Sequence, residues 1–103
     1  MVQCSQCGKL FDREEGGRSV ASICGGIMGD EYIESYYLCD RCGVYTVEIV
    51  HDHFLGDEEV FVRGPMTRTE GDEKVQLIRQ CSEPWNKKCR CPAHMTYFEG
   101  NLD

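Results

Sequence analysis

Two short cysteine motifs of the same form, C-x-x-C-G, constrain this chain more than any other feature of its sequence. They are Cys4-Ser5-Gln6-Cys7-Gly8 and Cys39-Asp40-Arg41-Cys42-Gly43, and they contain four of the eight cysteines in 103 residues. A spacing of two residues lets both thiolates of a motif bind one metal ion, and the glycine suits a tight turn that needs φ > 0. One such motif is also typical of thioredoxin-like redox proteins, but two of them predict a single four-cysteine tetrahedral site.

The size of the chain makes a metal or disulfide cross-link plausible, because a domain this short buries a modest share of its surface. Residues 1–4 contain neither the basic nor the apolar segment of a signal peptide, and no apolar stretch approaches the ~20 residues that span a bilayer. We therefore expect a cytoplasmic protein that does not bind membranes, whose thiols stay reduced and bind metal. In a secreted domain whose signal peptide had been removed, the same cysteines would form disulfides instead.

The charge of the chain argues against general nucleic-acid binding. Its 18 acidic and 11 basic residues give a formal net charge of −7. Four thiolates around Zn²⁺ would add a local charge of about −2. Phosphate backbones attract positively charged proteins, so we expect a protein partner and not DNA or RNA.

The segment that carries the two motifs, residues 4–44, resembles the rubredoxins and the zinc ribbons. Residues 4–12 are similar to the rubredoxin pattern C-x-x-C-G-x-x-Y-D, with Phe11 at the aromatic position. Tyr37 lies two residues before Cys39, as an aromatic residue does in the closing rubredoxin motif, although rubredoxins usually carry proline where Asp40 stands. The resemblance to rubredoxins implies iron at the four-cysteine site and electron transfer, whereas the resemblance to zinc ribbons implies structural zinc.

A second metal site is predicted near the C-terminus. The motif Cys89-x-Cys91-x-x-His94 gathers three ligands in six residues, and Cys81 precedes it. Three thiolates and one imidazole form a common closed structural zinc site. The alternative is an iron–sulfur cluster held by Cys81, Cys89, Cys91 and Cys24, which would leave His94 without a role.

Three further features have a structural and a functional interpretation. Cys24 is most simply a buried cysteine, because nothing cationic beside it would lower its pKa. His51 and His53 could bind a transition metal together with Asp57 or Glu58, but we prefer a solvated surface because no third ligand is fixed by spacing. Trp85 is expected to be exposed beside a basic patch. The patch could bind a phosphate or a base, contact an acidic partner or the chain's own acidic loops, or offset the thiolate charge; it comprises Arg79, Lys87, Lys88 and Arg90.

The N-terminal half is predicted to contain a β-hairpin between the two cysteine motifs. We expect strands over residues 18–24 and 31–38, the first stopped by Gly25-Gly26 and the two joined by a turn over residues 27–30. Residues 44–55 are rich in β-branched side chains, which favour a strand. Their apolar residues also recur with helical spacing, and we favour the helix.

The C-terminal half is predicted to be rich in loops and short strands. Residues 56–59 form an acidic break, and residues 60–63 form a short strand. Residues 64–73 contain the glycine, proline and charge typical of a loop. Residues 74–81 alternate between polar and apolar side chains and are predicted to form a strand. Residues 82–103 are turn-rich and contain the second cysteine cluster.

Together these features predict one small, metal-stabilised, β-rich α+β domain over residues 1–103. Residues 1–55 would form a part like a zinc ribbon or rubredoxin, or a treble clef with a helix after Cys42. Residues 56–103 would form a β-rich extension with the second site. We expect two zinc ions, with iron possible at the four-cysteine site.

The expected function is that of a binding or accessory protein and not an enzyme. The sequence contains no G-x-S-x-G motif or phosphate-binding loop, and a closed four-ligand site leaves no position for a substrate. Rubredoxin-like electron transfer is the alternative. A hydrolytic or redox enzyme using His51, His53 or Cys24 is a weaker third hypothesis. The aromatic residues that could anchor a protein partner, although some of them must belong to the core, are Tyr32, Tyr36, Tyr37, Trp85, Tyr97 and Phe98.

Overall fold

The computed structural model describes residues 3–8, 11, 19–53 and 56–102. Within these ranges the chain forms four strands followed by two helices. The elements are β1 (Ala21–Ile27), β2 (Asp30–Leu38), β3 (Tyr45–Asp52), β4 (Glu58–Met66), α1 (Arg68–Arg79) and α2 (Pro92–Tyr97). The strands form one antiparallel sheet in the order β1-β2-β3-β4, so each strand pairs with its neighbour in sequence. The expected small, β-rich α+β fold is confirmed for the described residues.

The predicted hairpin between the cysteine motifs is confirmed, and its turn lies within the predicted residues 27–30, but β1 extends beyond its predicted end at Cys24. Arg18 of the predicted strand lies outside the described residues. β1 continues through Gly25 and Gly26, which pair with Tyr32 and Glu31 of β2. The turn itself is at residues 28–29. Gly25 is needed for close packing, because a Cβ atom there would lie 2.6 Å from Cζ of Phe98.

The helix predicted over residues 44–55 is wrong, because most of this segment is the strand β3. β3 is a central strand, and its backbone pairs with β2 along one edge and with β4 along the other. Val47 and Ile49 point into the main core, and the β-branched residues that fitted both patterns adopt the extended form. The treble-clef alternative, which needs a helix directly after Cys42, is also wrong. Phe54 and Leu55 lie outside the described residues.

The loop predicted over residues 64–73 and the strand predicted over residues 74–81 are also wrong, because α1 covers most of both segments. The helix begins after Thr67, whose Oγ1 accepts a hydrogen bond from the backbone N–H of Glu70 at 3.2 Å. Val75 and Ile78 are buried, and Gly71 lies one turn before Val75 on the same face.

The strand predicted over residues 60–63 is confirmed and is longer than expected. It lies within β4, which also includes Glu58 and Glu59 of the predicted acidic break. The final turn-rich segment contains the short helix α2, with Pro92 at its first position.

The main core lies between one face of the sheet and the two helices. The buried side chains of this cluster are Ile23, Tyr36, Tyr45, Val47, Ile49, Val75, Ile78, Tyr97 and Phe98. The hydroxyl groups of Tyr36 and Tyr97 lie 2.6 Å apart. The hydroxyl of Tyr97 donates to Glu34 Oε1 at 2.6 Å. These contacts satisfy the polar atoms of buried aromatic rings and connect α2 to β2. No helix in the described part of the chain is long and apolar enough to cross a membrane.

Candidate metal centres

The first candidate metal centre, which we call site one, is framed by two turns of the same geometry. The backbone N–H of Gly8 donates to the carbonyl of Cys4 at 2.9 Å, and that of Gly43 donates to the carbonyl of Cys39 at 2.8 Å. The two glycines have φ angles of +77° and +67°, which other residues adopt only with strain. Each turn therefore brings its two cysteine side chains to the same side of the backbone.

The sulfur atoms of Cys4, Cys7, Cys39 and Cys42 all lie within 4.8 Å of one another. The Sγ atoms of Cys7 and Cys39 are 3.8 Å apart. A tetrahedron with Zn–S bonds of about 2.3 Å has S–S edges of about 3.8 Å, whereas a disulfide would require about 2.05 Å. All eight cysteines are free thiols. The predicted four-cysteine grouping is thus present with the spacing of a metal centre.

The surroundings of site one explain its aromatic residues. Phe11 and Tyr37 pack with ring centroids 5.2 Å apart in a small core of their own, which also contains Cys4 and Cys39. These are the two aromatic positions on which the rubredoxin resemblance depends. Cys7, by contrast, is exposed. The site therefore has one buried side and one side open to solvent.

The thiols of site one differ in acidity. Burial alone would raise the pKa of Cys4, but hydrogen bonds from the backbone at Cys7 and Gln6 lower it to about 6. The hydrogen bond with Cys7 and, next, burial raise the pKa of Cys42 to about 12. Once one thiolate forms, a second negative charge nearby is disfavoured unless a cation balances it. A metal ion would supply that positive charge.

The second centre, site two, joins the end of α1 to α2. The ligand atoms of Cys81, Cys89, Cys91 and His94 all lie within 4.8 Å of one another. Cys81 Sγ is 3.6 Å from Cys89 Sγ and 3.3 Å from His94 Nδ1. Cys91 caps α2, since its Sγ accepts the backbone N–H of His94 at 3.4 Å, and this bond lowers the pKa of Cys91. Burial raises the pKa of Cys81 to about 12.

His94 is fully buried, and its two ring nitrogens face different partners. Nε2 lies 2.7 Å from the backbone carbonyl oxygen of Cys24, which can only accept a hydrogen bond. Nε2 must therefore carry the proton, and in the neutral ring Nδ1 presents its lone pair toward Cys81. Metal-binding histidines are commonly oriented in this way, by a hydrogen bond from the other ring nitrogen to a carbonyl or carboxylate.

Cys24 supports site two with its backbone, and its sulfur is turned elsewhere. Its Sγ donates to Glu31 Oε1 at 3.1 Å. Burial, followed by the hydrogen bond to Glu31, raises the pKa of this thiol to about 12. The interpretation of Cys24 as a buried cysteine agrees with this placement, and the four-cysteine cluster that would include it does not.

A third cluster combines His51 and His53 with Asp30, which the sequence did not indicate. The expected partners of the histidines were Asp57 or Glu58. Asp30 belongs to the grouping because β2 and β3 are antiparallel and Glu31 pairs with Asp52. Asp30 could have been predicted as a ligand only if residues 45–52 had been assigned to a strand and paired with β2 in this register.

Part of the predicted basic patch lines a cleft of about 440 Å³. Lys87, Lys88 and Arg90 border it, and Lys87 Nζ lies 3.5 Å from Glu31 Oε2. Arg90 donates from one guanidinium nitrogen to the carbonyls of Lys87 and Cys89, each at 3.0 Å. Trp85 is 71% exposed, as expected. The patch thus serves at least in part to order the loop around site two.

Comparison with protein-family models, with curated proteins and with solved structures finds no match to this chain. Its chemistry therefore has to be inferred from the clusters themselves. Sites one and two could each hold a metal ion, and the chain has the features of a metal-binding protein.

Proposed function

We propose that this chain is a small zinc protein whose two ions are structural and whose role is to present a surface to a protein partner. The observation that carries the zinc assignment is the orientation of His94. Its proton lies on Nε2, 2.7 Å from the carbonyl of Cys24, and its Nδ1 lies 3.3 Å from Cys81 Sγ. Three thiolates and one oriented imidazole suit Zn²⁺, which favours tetrahedral nitrogen and sulfur ligands.

A structural role is supported by the segments that each site connects. Site one joins residues 4–7 to the connection between β2 and β3, and site two joins α1, the following loop and α2. Four protein ligands at each site leave no position for a substrate, which supports a non-catalytic role. Site two also positions the loop that bonds to β1, because the N–H of Cys24 donates to the carbonyl of Pro84 at 2.8 Å.

An interaction role is supported by the apolar side chains on β4. Val60, Phe61 and Val62 are about half exposed, and this strand lies at the edge of the sheet. Phe61 and Val62 also border a cleft of about 420 Å³ that includes Tyr32 and Ile49. With a net charge of −7, the chain would associate most readily with a partner of positive surface charge.

The zinc proposal is tested by metal analysis of reduced protein purified from its native host. We expect two equivalents of zinc for the wild type and one for His94→Ala, because the alanine removes a ligand of site two only. A count of one or fewer in the wild type, or an unchanged count in His94→Ala, would refute two zinc centres with this ligand set.

The interaction proposal is tested by a matched pair of variants on the sheet. Val62→Lys places a charge in the apolar region of β4, whereas Glu48→Lys makes a charge change at the neighbouring position of β3, with which Val62 pairs. We expect complexes recovered from the native host to lose the same partner in Val62→Lys and to keep it in Glu48→Lys, with zinc content equal in both. Equal retention in both variants would rule out β4 as the contact surface.

Rubredoxin-like electron transfer is the second candidate, and the exposure of Cys7 favours it. A metal with one solvent-facing thiolate could exchange electrons at the protein surface. The two candidates differ in colour, since Zn²⁺ is d¹⁰ and redox-silent, whereas an iron–tetrathiolate centre absorbs visible light and bleaches on reduction. A reversible visible band in protein from the native host would favour iron over zinc at site one.

A further inference from the structure

A third set of metal-binding side chains lies at the opposite end of the β2–β3 pair from site one. Asp30 is the first residue of β2, His51 lies near the end of β3, and His53 follows that strand directly. Cys39 and Cys42 lie where β2 ends and before β3 begins. The cluster therefore contains no cysteine and shares no residue with sites one and two.

The three side chains converge through the register of the sheet. Tyr32 pairs with His51, so Asp30 lies on the same face of the sheet beside the next alternate position, which is His53. The Oδ2 atom of Asp30 is 2.8 Å from His51 Nε2 and 3.5 Å from His53 Nδ1. All three ligand atoms lie within 4.8 Å of one another.

These separations match those between ligands of one metal ion. With metal–ligand distances of about 2.0–2.1 Å, neighbouring ligand atoms are about 3.3 Å apart in a tetrahedron and about 2.9 Å apart in an octahedron. The observed 2.8 Å and 3.5 Å lie close to this range. The 2.8 Å contact between Asp30 and His51 is also a hydrogen bond, whereas the 3.5 Å contact with His53 is longer than the 2.7–3.2 Å typical of an N–H···O hydrogen bond.

Neighbouring residues hold both imidazoles in place. The ring of His51 stacks on Tyr32 with centroids 4.2 Å apart, and it lies 3.8 Å from the ring of His53. His53 Nε2 is 3.5 Å from Glu59 Oε1 of β4, so Nδ1 faces Asp30 while Nε2 faces a second carboxylate. At 3.5 Å this carboxylate lies beyond the usual hydrogen-bond distance, so it places negative charge behind the distal nitrogen and does not fix the ring by a hydrogen bond.

We propose that Asp30, His51 and His53 bind one divalent transition-metal ion, such as Zn²⁺ or Ni²⁺, at the surface of the sheet. Two imidazole nitrogens and one carboxylate oxygen are a ligand set of intermediate softness, which suits these ions better than Mg²⁺ or Ca²⁺. The side chains are 15%, 33% and 26% exposed for His51, His53 and Asp30. Three protein ligands leave coordination positions for water, so this ion exchanges more readily than the ions of the closed cysteine sites.

The proposal is tested by titrating Ni²⁺ into the untagged protein, dialysed under reducing conditions until it keeps only the two zinc ions of the closed cysteine sites, and measuring binding by calorimetry. We expect one further equivalent to bind. His53→Gln and Asp30→Asn should each weaken its affinity at least about tenfold, since loss of a ligand should match or exceed the loss of an orienting partner. Asp52→Asn is the matched control, because it removes the same charge from an exposed neighbouring residue and should change the affinity less than about threefold.

Two spectroscopic measurements make the outcome specific. Bound Ni²⁺ should broaden the NMR signals of the His51 and His53 imidazoles, and no thiolate-to-nickel absorption should appear if the zinc sites stay filled. The proposal is overturned if no further equivalent binds, if Asp30→Asn and Asp52→Asn weaken binding equally, or if His53→Gln binds as the wild type does. Because the ligand sets are separate, these results leave the zinc assignment of sites one and two unaffected.

Discussion

Cys24 and His94 meet through a backbone carbonyl, although a cysteine beside a metal centre is usually expected to contribute its sulfur. The carbonyl of Cys24 accepts the proton of His94 Nε2, and the thiol of Cys24 points to Glu31. Any residue at position 24 offers the same carbonyl, so the support that Cys24 gives to site two does not depend on its side chain. The sequence indicated the four ligands of this site by their spacing, but a backbone contact 70 residues away leaves no mark in a sequence.

The first prediction compares Cys24→Ser with Cys81→Ser. Cys24→Ser should keep both metals and lower the free energy of unfolding by about 1–2 kcal/mol at most, because serine retains the carbonyl and can still donate to Glu31. Cys81→Ser should release one metal, because a protonated hydroxyl is a poor substitute for a thiolate ligand. Metal analysis and denaturant titration measure both effects. A Cys24 variant that loses a metal would contradict this assignment.

The second prediction concerns Gly71 in the first half of α1. Replacing a helical glycine by alanine usually stabilises a helix by about 1 kcal/mol. Here a Cβ atom would overlap the ring of Tyr45, which is buried in the core. We expect Gly71→Ala to lower the free energy of unfolding by about 1–3 kcal/mol, measured by denaturant titration. Glu73→Ala, at an exposed position of the same helix, is the control and should change stability by less than about 0.5 kcal/mol. A stabilised Gly71→Ala would show that the ring moves away.

Among the elements, the β-hairpin was predicted from the sequence and the first helix was missed. The strand formers of β2 end directly at Cys39, which gave a clear boundary. In α1, Val75 and Leu77 suggested alternation, whereas Val75 and Ile78 are the residues that the helix buries. Helical spacing prevails because it places Gly71, Val75 and Ile78 together against the sheet. The sequence does mark the start of this helix, because Thr67-Arg68-Thr69-Glu70 has the spacing of a capping box.

The third cluster, formed by Asp30, His51 and His53, could not be assembled from the sequence either, because its ligands come from two strands. His51 and His53 were visible as a pair, but their carboxylate partner comes from another strand. Assigning residues 45–52 to a helix removed the β2–β3 register that places Asp30 beside them. Ligands that are close in sequence can thus be identified from spacing, whereas those joined by strand pairing require the fold.

The third prediction tests the N-terminal cap of α1. Thr67→Ala should lower the free energy of unfolding by about 1 kcal/mol, because the backbone N–H of Glu70 loses its acceptor. Thr69→Ala, two residues later and also exposed, should have a smaller effect or stabilise the helix. Denaturant titration of the two single variants gives the comparison. Equal effects would mean that the Thr67 hydroxyl does not cap the helix.

For the whole molecule, the proposed metal binding would be comparable in energy to folding. A domain is typically stable by about 5–15 kcal/mol, and binding of one structural zinc ion is worth about 10–16 kcal/mol in small zinc-binding peptides. Sites one and two together connect the beginning of the described chain, the sheet and both helices. Without the metals, the remaining apolar core has to stabilise all of these elements alone.

The fourth prediction follows from that comparison. Removing both metals with a chelator under reducing conditions should abolish the near-UV circular dichroism of the buried tyrosines and the cooperative thermal transition. Adding two equivalents of Zn²⁺ should restore both signals. Near-UV dichroism that survives complete removal of the metals would exclude a structural role for them.

The covered edge of β1 has a consequence for self-association. At Cys24 both backbone groups are already bonded, the N–H to Pro84 and the carbonyl to His94, and the loop that covers this edge is held by site two. β4 is the strand at the opposite edge of the sheet. A sheet that can add a strand on one side forms pairs at most, whereas a sheet open on both sides can polymerise without limit. If site two holds zinc, as proposed, loss of that ion would free the loop that bonds to β1, and we would then expect a sheet with two open edges, which can assemble into fibres.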